Sequence, residues 1–300
     1  MGATAALEAM MKAKKIDEKK MVDSFKPPEF ISTGSPQIDT IVGGGFPRGK
    51  IIEIFGWESS GKSTLAVAHA IEQQKKGKGV VYLDYERVFP ADYYHSLGLK
   101  GIKPIDKDKL IVLTPETVEE GIGMAEYLMS AKGANIGLIV FDSVSAMMTI
   151  AQSEAEVEDV KKEQPGQLAK MLSSRLKQLN NRATESKCTL IFINQLRSNL
   201  KSMSNPYSNE PDYTTSGGNG LKFYASMRIM VERRKEDSIK VKNPITGKDD
   251  PVHVGYEARV TTVKNKVIAG KKRCEIYFKD GVGIDTKNSV WVASIALGII

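Results

Sequence analysis

The stretch Gly56-Trp57-Glu58-Ser59-Ser60-Gly61-Lys62-Ser63 decides the fold that this 300-residue sequence predicts. It matches the pattern G-x-x-x-x-G-K-[ST], whose glycines let successive backbone N–H groups point inward at one anion. The apolar run 51–55 before it predicts a strand, and the residues from Thr64 onward predict the opening of a helix. Because a helix N-terminus adds unpaired donors and the positive end of its dipole, the three elements favour a phosphate-binding loop over a plain glycine turn.

The residue types inside this loop suit a nucleoside triphosphate such as ATP, bound together with Mg²⁺. Lys62 would reach the β- and γ-phosphates, and the hydroxyl group of Ser63 would ligate Mg²⁺. We therefore expect nucleotide contacts along the whole loop, at Gly56, Glu58, Ser59, Ser60, Gly61, Lys62, Ser63 and Thr64.

The overall composition is that of a globular protein, with 41% hydrophobic and 26% charged residues. The net charge of +7 is compatible with a nucleic-acid partner, although an ordinary basic surface explains it equally well. Two cysteines in a chain of this length form neither a disulfide framework nor a metal-ligand pattern. No secretory segment opens the chain and the apolar stretch 290–300 is too short to span a bilayer, so we expect a cytoplasmic protein without a membrane partner.

The chain divides into three predicted segments. Residues 1–28 predict a short helical arm that Pro27 and Pro28 terminate, and we expect this arm to serve oligomerisation. Residues 29–285 predict a core in which strands and helices alternate. Residues 286–300 predict an apolar helix that begins a truncated or absent C-terminal domain.

The core pattern predicts an α/β fold with a mostly parallel central sheet flanked by helices. Near-continuous apolar runs are typical of strands covered on both faces, and they lie at 80–84, 110–113, 138–141 and 188–193. Later runs without long intervening helices predict an antiparallel extension, and they lie at 227–231, 256–263 and 273–278. Two polar gaps, 152–167 and 198–219, are too long for compact loops and are either functional segments or linkers.

Carboxylates follow two of the apolar runs, at the strand ends where parallel sheets bind ligands. Asp142 follows the run 138–141, as the second magnesium-site Asp does in phosphate-loop ATPases, although a helix N-cap is the alternative interpretation. Asp84 and Glu86 lie at the end of the run 80–84. We predict that Glu86 orients the attacking water with Asp84 in support, against the alternative of a surface acid.

An amide and two lysines complete the candidate catalytic set. Gln195 follows the run 188–193 and directly precedes the second gap, so it could sense a terminal phosphate and move the loop; a plain sheet-edge amide is the alternative. Lys264 and Lys266 share one face of a predicted strand. Across a subunit interface they could supply the charge that an arginine finger supplies, whereas a solvated sheet edge is the alternative.

Residues suited to DNA lie beside or within the two gaps. An apolar face over 168–179 predicts a helix whose other face carries Lys170 and Lys177, which suit phosphate contacts. In the second gap, cationic side chains could contact the DNA backbone and apolar side chains could wedge between bases or stack on them. The cationic residues are Arg197 and Lys201, and the apolar residues include Leu200 and Met203.

The sequence resembles the RecA family of homologous-recombination ATPases over about 31–285. The phosphate loop, the segment Phe141–Val144, the segment Leu190–Arg197 and the segment Val263–Lys266 are similar to motifs of that family. The most specific similarity is Thr214-Thr215-Ser216-Gly217-Gly218-Asn219-Gly220-Leu221-Lys222-Phe223-Tyr224-Ala225-Ser226. Departures from the bacterial pattern, such as Pro90 in place of an Asp, suggest a phage-encoded or otherwise divergent member.

The resemblance implies a recombinase that forms a filament on single-stranded DNA and pairs it with homologous duplex DNA, hydrolysing ATP at subunit interfaces. It makes the two gaps the DNA-binding loops, with Gly217, Gly218 and Asn219 at the end of the second. It also makes Glu86 the hydrolytic carboxylate, Gln195 the phosphate-to-DNA coupler, and Lys264 and Lys266 the cations of the neighbouring subunit. Tyr93 would stack on adenine, and Phe223 with Lys222 would lie at the subunit interface.

Other functions fit the phosphate loop alone. A hexameric helicase or another ring-forming DNA motor of the same core fold would not need the string 214–226. A nucleotide-regulated filament protein with negligible turnover would not need Glu86. A small-molecule kinase would need a lid and an acceptor pocket, which the two polar gaps do not resemble.

Overall fold

The computed structural model describes most of the predicted core. The described ranges are 28–99, 109–131, 133–154, 166–198, 213–242, 247–269, 272–296 and 298–299, together with the isolated positions 5, 8, 9 and 12. Most of the predicted N-terminal arm and most of both predicted DNA loops lie outside these ranges. Leu200, Lys201 and Met203 also lie outside them, so their predicted DNA contacts stay predictions.

Strands and helices alternate through the first two thirds of the core, as predicted. The strands are β1 (Phe30–Ile31), β2 (Phe46–Pro47), β3 (Ile51–Gly56), β4 (Gly79–Asp84), β5 (Leu110–Leu113), β6 (Ile136–Asp142), β7 (Thr189–Ser198), β8 (Tyr213–Thr215), β9 (Met227–Lys242), β10 (Asp249–Asn265), β11 (Arg273–Lys279) and β12 (Gly283–Ile284). The helices are α1 (Pro36–Val42), α2 (Lys62–Lys75), α3 (Ala91–Ser96), α4 (Val118–Ser130), α5 (Ile150–Ser153), α6 (Gln167–Ser186), α7 (Gly218–Tyr224) and α8 (Thr286–Ala296), with a 3-10 turn at Val144–Ala146.

One large sheet runs in the order β12-β11-β10-β9-β3-β7-β6-β4-β5, with β8 added to the end of β7. The strands from β9 to β5 pair in parallel, and β9 to β12 pair antiparallel. The predicted α/β fold with a mostly parallel sheet and an antiparallel extension is therefore confirmed. One detail of the prediction was wrong. The run 227–231 was assigned to the antiparallel extension, but it forms the start of β9 and pairs in parallel with β3, where Gly56 lies opposite Val231.

Helices cover both faces of the parallel strands, which explains their near-continuous apolar runs. On one face, Ile52 and Ile54 of β3 pack with Leu65 of α2. On the other face, the rings of Phe141 and Phe192 stack with centroids 4.3 Å apart, beneath α4 and α6. Because β3, β4, β6 and β7 are parallel, their carboxyl ends meet at one edge of the sheet.

Two boundaries differ from the sequence predictions. The second polar gap is shorter than expected, because β7 continues to Ser198 and pairs with β8. The strands β9 and β10 extend well beyond the sheet as an exposed two-stranded ribbon. The predicted C-terminal helix is present as α8; its Ala293 is buried and its Trp291 is exposed. None of the helices in the described ranges is long and apolar enough to cross a membrane.

Candidate nucleotide and DNA-binding site

The phosphate loop leaves β3 through a glycine that no other residue could replace. A Cβ atom on Gly56 would lie 2.1 Å from the carbonyl oxygen of Val231 on the neighbouring strand. Gly61 has φ +94°, and a Cβ atom there would lie 2.6 Å from the ring of Phe278. No side chain among the described residues caps the start of α2 at Gly61. The first N–H groups of α2 are thus available to an anion held by the loop.

The loop side chains surround the space that phosphates would fill. Lys62 is buried, and its ammonium group donates to the carbonyl oxygen of Trp57 at 2.7 Å. Burial lowers the pKa of Lys62, whereas the charge of Asp142 acts in the opposite direction. The hydroxyl oxygen of Ser60 is buried and finds no hydrogen-bond partner in the described part of the chain. A buried cation and an unpaired buried hydroxyl group fit a phosphate ligand.

The predicted magnesium ligands, Ser63 and Asp142, lie together. The Ser63 hydroxyl group donates to Oδ2 of Asp142 at 2.7 Å, and the Tyr82 hydroxyl group donates to the same oxygen. Burial raises the pKa of Asp142, and the hydrogen bonds from Tyr82 and Ser63 oppose this effect. One hydroxyl and one carboxylate oxygen are what a protein contributes when Mg²⁺ keeps waters and phosphate oxygens as its other ligands. These residues therefore fit Mg²⁺ bound with ATP.

Glu86 and Gln195 meet at the same edge of the sheet. Oε1 of Glu86 accepts hydrogen bonds from the Ser143 hydroxyl group and, at 3.4 Å, from Nε2 of Gln195. Glu86 is exposed, which leaves room for the water molecule that it is predicted to orient. Asp84 is buried instead and accepts a hydrogen bond from the backbone N–H of Phe89 at 2.8 Å, so it shapes the turn that carries Glu86.

The remaining predicted nucleotide contacts differ in exposure. Glu58 and Ser59 are exposed on the loop, and Ser59 adopts φ 55°. Thr64 is half-buried in the first turn of α2. Tyr93 is half-buried on α3, with its ring centroid 5.3 Å from that of Tyr94. The adenine contact predicted for Tyr93 stays a prediction.

Lys264 and Lys266 do not approach the phosphate loop of their own chain. Lys264 lies opposite Arg228 on β9, and Arg228 lies opposite Glu53 on β3. At about 3.3 Å per residue, that register places Lys264 roughly 10 Å back along the sheet from Gly56. The two lysines therefore lie toward the other edge of the sheet, as expected for residues that act on a neighbouring subunit.

At this opposite edge the two lysines surround an exposed aromatic ring. The Lys264 ammonium group donates to the carbonyl oxygens of Lys222 and Phe223 at 2.8 Å each. The ammonium groups of Lys264 and Lys266 lie 6.0 and 5.8 Å from the centroid of the Phe223 ring. Phe223 is 70% exposed, and Lys222 donates to the hydroxyl group of Thr214 at 3.3 Å. An exposed aromatic ring ringed by cations is the kind of anchor that subunit interfaces use.

The candidate DNA contacts lie around the ends of the second loop. Lys170 and Lys177 are exposed on α6, Arg197 is exposed near the end of β7, and Asn219 is exposed on α7. The DNA contacts of these residues stay predictions.

Gly217 and Gly218, also predicted to contact DNA, have a packing role. They adopt φ +85° and +68°, and a Cβ atom on Gly218 would lie 2.6 Å from the Cβ atom of Ala169. They therefore let α7 approach α6 closely, whatever they do with DNA.

Sequence reasoning missed several residues that support the site. Tyr82 and Ser143 bond to the carboxylates of Asp142 and Glu86. Glu53 is fully buried in β3 and pairs with Arg228. Its signal was visible as a lone charge inside the apolar run 51–55, which predicts a buried charge with a partner.

Comparisons with known proteins identify the family of this chain. The family model described as the RecA N-terminal domain matches residues 8–285. Protein RecA of Ruminococcus albus is 38% identical over 273 residues, which cover 91% of this chain and 62% of the relative. Protein RecA of Borrelia turicatae is 37% identical over 274 residues, 91% of this chain and 69% of the relative. Protein RecA of Ureaplasma parvum is 39% identical over 271 residues, 90% of this chain and 73% of the relative.

A solved structure shares the fold. The crystal structure of the RadB recombinase superposes with a TM-score of 0.59 at 19% identity, covering 85% of this chain and 98% of the other. At that identity the likeness concerns the fold alone. The match to the family model over most of the length and the identity to relatives named RecA lead to one conclusion: the chain belongs to the RecA family.

Proposed function

We propose that this chain is an ATP-dependent recombinase, which forms a helical filament on single-stranded DNA and catalyses homologous pairing and strand exchange with duplex DNA. The observation that carries the proposal is the separation of the nucleotide-handling groups. Lys62, Ser63 and Glu86 lie at one edge of the sheet, and Lys264 lies toward the other edge with Phe223 exposed beside it. One subunit therefore holds two halves of a site that two subunits complete.

The phosphate-loop edge supports ATP hydrolysis. Bound ATP with Mg²⁺ supplies a γ-phosphoryl group whose transfer develops charge on its oxygens. Lys62 would turn from the Trp57 carbonyl oxygen to the phosphates, and Ser63 and Asp142 would hold Mg²⁺. Glu86 would orient the attacking water, with its carboxylate positioned by the Ser143 hydroxyl group. Gln195, which already contacts Glu86, would contact the terminal phosphate at the start of the second DNA loop.

The lysine edge supports head-to-tail assembly. Lys264 and Lys266 would approach the γ-phosphate bound by a neighbouring subunit, while Phe223 and Lys222 anchor the contact. A contact between two different surfaces of the same protein is heterologous, and it generates an open helix when its rotation does not close a ring. Lys264 would then contact a γ-phosphate in the neighbouring subunit, although it lies far from the phosphate loop of its own subunit.

The DNA contacts rest on exposed cations and on the family. Lys170, Lys177 and Arg197 are exposed near the two loops, and the net charge of +7 favours a polyanion. Asn219 is exposed at the end of the second loop. The chain spans 62% of its Ruminococcus relative and 69% of its Borrelia relative, and its membership of the RecA family supports pairing and exchange as the outcome of DNA binding.

Electron microscopy with single-stranded DNA and ATP tests the proposal. We expect open helical filaments that require both DNA and nucleotide. Closed rings would support the alternative of a hexameric helicase or another ring-forming DNA motor. The absence of any ordered assembly at micromolar protein would overturn the proposal, and Lys62→Ala, which should assemble no nucleotide-dependent filament, is the matched control.

A further inference from the structure

A charged pair and an amide lie at the centre of the sheet, where the nucleotide chemistry does not use them, and only the arginine of the pair is partly exposed. Glu53 on β3 and Asn194 on β7 are each 0% exposed. Arg228 on β9 donates to Oε2 of Glu53, and Nδ2 of Asn194 donates to Oε1 at 3.0 Å. Burying an ion pair costs desolvation that its attraction does not always offset. A polar bridge across three central strands therefore calls for a role beyond stability.

The Asn194 side chain joins the phosphate-sensing residue to the end of the second loop. Its Nδ2 donates to the carbonyl oxygen of Ser216 at 2.8 Å. Its Oδ1 accepts from the backbone N–H groups of Ser216 at 3.2 Å and of Gln195 at 3.0 Å. The Asn194 side chain thus ties the backbone of Gln195 to Ser216, which lies just before α7.

Helix α7 carries that contact to the opposite edge as a rigid element. A Cβ atom on Gly220 would lie 2.3 Å from the hydroxyl oxygen of Ser173, so α7 packs against α6 at the closest approach that glycine allows. The carbonyl oxygens of Lys222 and Phe223, at the C-terminal end of α7, accept from the ammonium group of Lys264. Both ends of α7 are therefore held, one by Asn194 and the other by Lys264.

The ion pair of Glu53 and Arg228 is a second connection between Asn194 and Lys264, across the strands of the sheet. Lys264 lies opposite Arg228, and Arg228 lies opposite Glu53. The pKa of Lys264 is lowered first by burial, then by Lys266 and Arg228, while Glu53 acts to raise it. Two chains of neighbouring residues thus join Asn194 to Lys264. One runs through Ser216 and α7. The other runs through Glu53 and Arg228.

We propose that Asn194 is a positioning residue which, with Glu53 and Arg228, couples the nucleotide held by one subunit to the lysine edge that the same subunit presents to the next nucleotide. This inference rests on the proposed function and extends it from a shared site to communication between successive sites. A coupling of this kind is reciprocal for binding, so it affects both the cooperativity of nucleotide binding and the gain in DNA affinity that nucleotide produces.

Asn194→Asp is the main test, because it places a carboxylate beside Glu53 and removes both donors of the amide. Three quantities are measured in the full-length chain. They are the affinity of a fluorescent ATP analogue for the dilute subunit, the Hill coefficient of DNA-stimulated turnover against ATP, and the ratio of single-stranded DNA affinities with and without a non-hydrolysable ATP analogue. We expect the first to change little, the Hill coefficient to fall toward 1, and the affinity ratio to fall on the order of tenfold.

Thr189→Val is the matched control, because Thr189 is also fully buried on β7 and its hydroxyl group donates to the Pro47 carbonyl oxygen at 3.3 Å, away from both connections between Asn194 and Lys264. It should lower Tm without changing the Hill coefficient or the affinity ratio. Adding Glu53→Gln to Asn194→Asp should restore part of the ratio, because the new amide can donate to the new carboxylate.

A folded Asn194→Asp with the wild-type Hill coefficient and affinity ratio overturns the inference, and so does an equal loss in Thr189→Val. If Asn194→Asp does not fold, Glu53→Gln alone decides. It keeps an acceptor for Asn194 but removes the charge that faces Arg228, so an unchanged ratio there overturns the inference. Failure of the wild-type protein to show DNA-stimulated turnover would instead overturn the proposed function.

Discussion

The two edges of the central sheet differ in what they lack. At the phosphate-loop edge, the carboxylates of Asp142 and Glu86 are already oriented by hydroxyl groups, and the one nearby cation, among the described residues of the loop, is the buried Lys62. At the opposite edge, Lys264 and Lys266 are satisfied by carbonyl oxygens and have no described phosphate-binding loop beside them. Each edge thus holds groups that the other lacks, which is the basis of the proposal that two subunits form one catalytic site.

The charges of the two edges also suit each other. Two unit charges about 4 Å apart interact by roughly 4 kcal/mol at an effective dielectric constant near 20. A γ-phosphate bound at one edge would therefore attract the lysine edge of a second subunit strongly enough to link assembly to the presence of ATP.

Lys62→Ala should have the largest effect. It removes the buried cation that would face the β- and γ-phosphates, so nucleotide-dependent DNA binding should be abolished. ATP turnover and filter binding of single-stranded DNA measure the result. Lys76→Ala is the control, because Lys76 is exposed at the far end of the same helix. Undiminished ATP turnover in Lys62→Ala would show that the nucleotide does not bind at this loop.

Glu86→Gln should affect only the chemical step at the phosphate-loop edge. The amide cannot activate water, so turnover should fall on the order of a hundredfold or more while ATP binding is kept. Filaments with ATP should persist longer than those of the wild type, as measured by electron microscopy over time. Wild-type turnover would show that another carboxylate, such as Asp84, activates the water.

Arg197→Ala should change DNA binding by a smaller amount and leave both edges intact. Binding of phosphate groups releases counterions, so the affinity for single-stranded DNA should fall steeply with salt. If Arg197 contacts one phosphate, its removal should flatten the plot of log affinity against log salt by roughly one unit. Fluorescence anisotropy across a salt series measures the slope. An unchanged slope would show that the start of the second loop, at Arg197, does not contact a DNA phosphate group.

A lower pH should reduce the free energy of unfolding, because the buried His69 opposes protonation in the folded state. Burial lowers the pKa of His69 to about 4, against a slight opposing effect of its bond to the Ser32 carbonyl oxygen. Because the folded pKa lies below the ordinary value of 6.5, the stabilising neutral form is fully present above pH 6.5 and its contribution is lost as pH falls toward 4. The loss amounts to about 3 kcal/mol at most.

Urea unfolding at a series of pH values measures this effect. The free energy of unfolding should fall between pH 6.5 and 5, where carboxylates contribute little, and His69→Gln should remove that slope. An unchanged slope in the variant would assign the titration to another group.

The phosphate-loop edge was predictable because its chemistry follows directly from the chain. Each of Asp142, Glu86 and Gln195 follows an apolar run, and parallel strands bring such positions to one edge whatever their sequence separation. The lysine edge was recognisable as a pair of cations, but its contacts with the end of α7 were not, because they join segments 41 to 43 residues apart. No periodicity in a sequence reports a pairing of that kind.

Other features were not predictable for different reasons. In the exposed ribbon of β9 and β10, Ile239 and Val241 alternate with polar residues, but the alternation is too short to fix the ends of the strands, and both side chains stay exposed. The prediction missed the parallel pairing of β9 with β3, because an apolar run does not encode the direction of the strand beside it. The bridge through Asn194 depends on side chains from three strands and on the Ser216 backbone, which only the assembled sheet brings together.

The central claim, that two edges from two subunits form one catalytic site, is tested most directly by mixing two inactive variants. Lys264→Ala/Lys266→Ala should bind nucleotide as an isolated subunit but fail to hydrolyse it, and Lys62→Ala should fail to bind it productively. In mixed filaments, one kind of interface joins the intact loop of the first variant to the intact lysines of the second. DNA-stimulated ATP turnover should therefore reappear on mixing, with the highest rate near equal amounts of the two. Mixed filaments verified by differential labelling that remain inactive at every ratio would contradict the shared site.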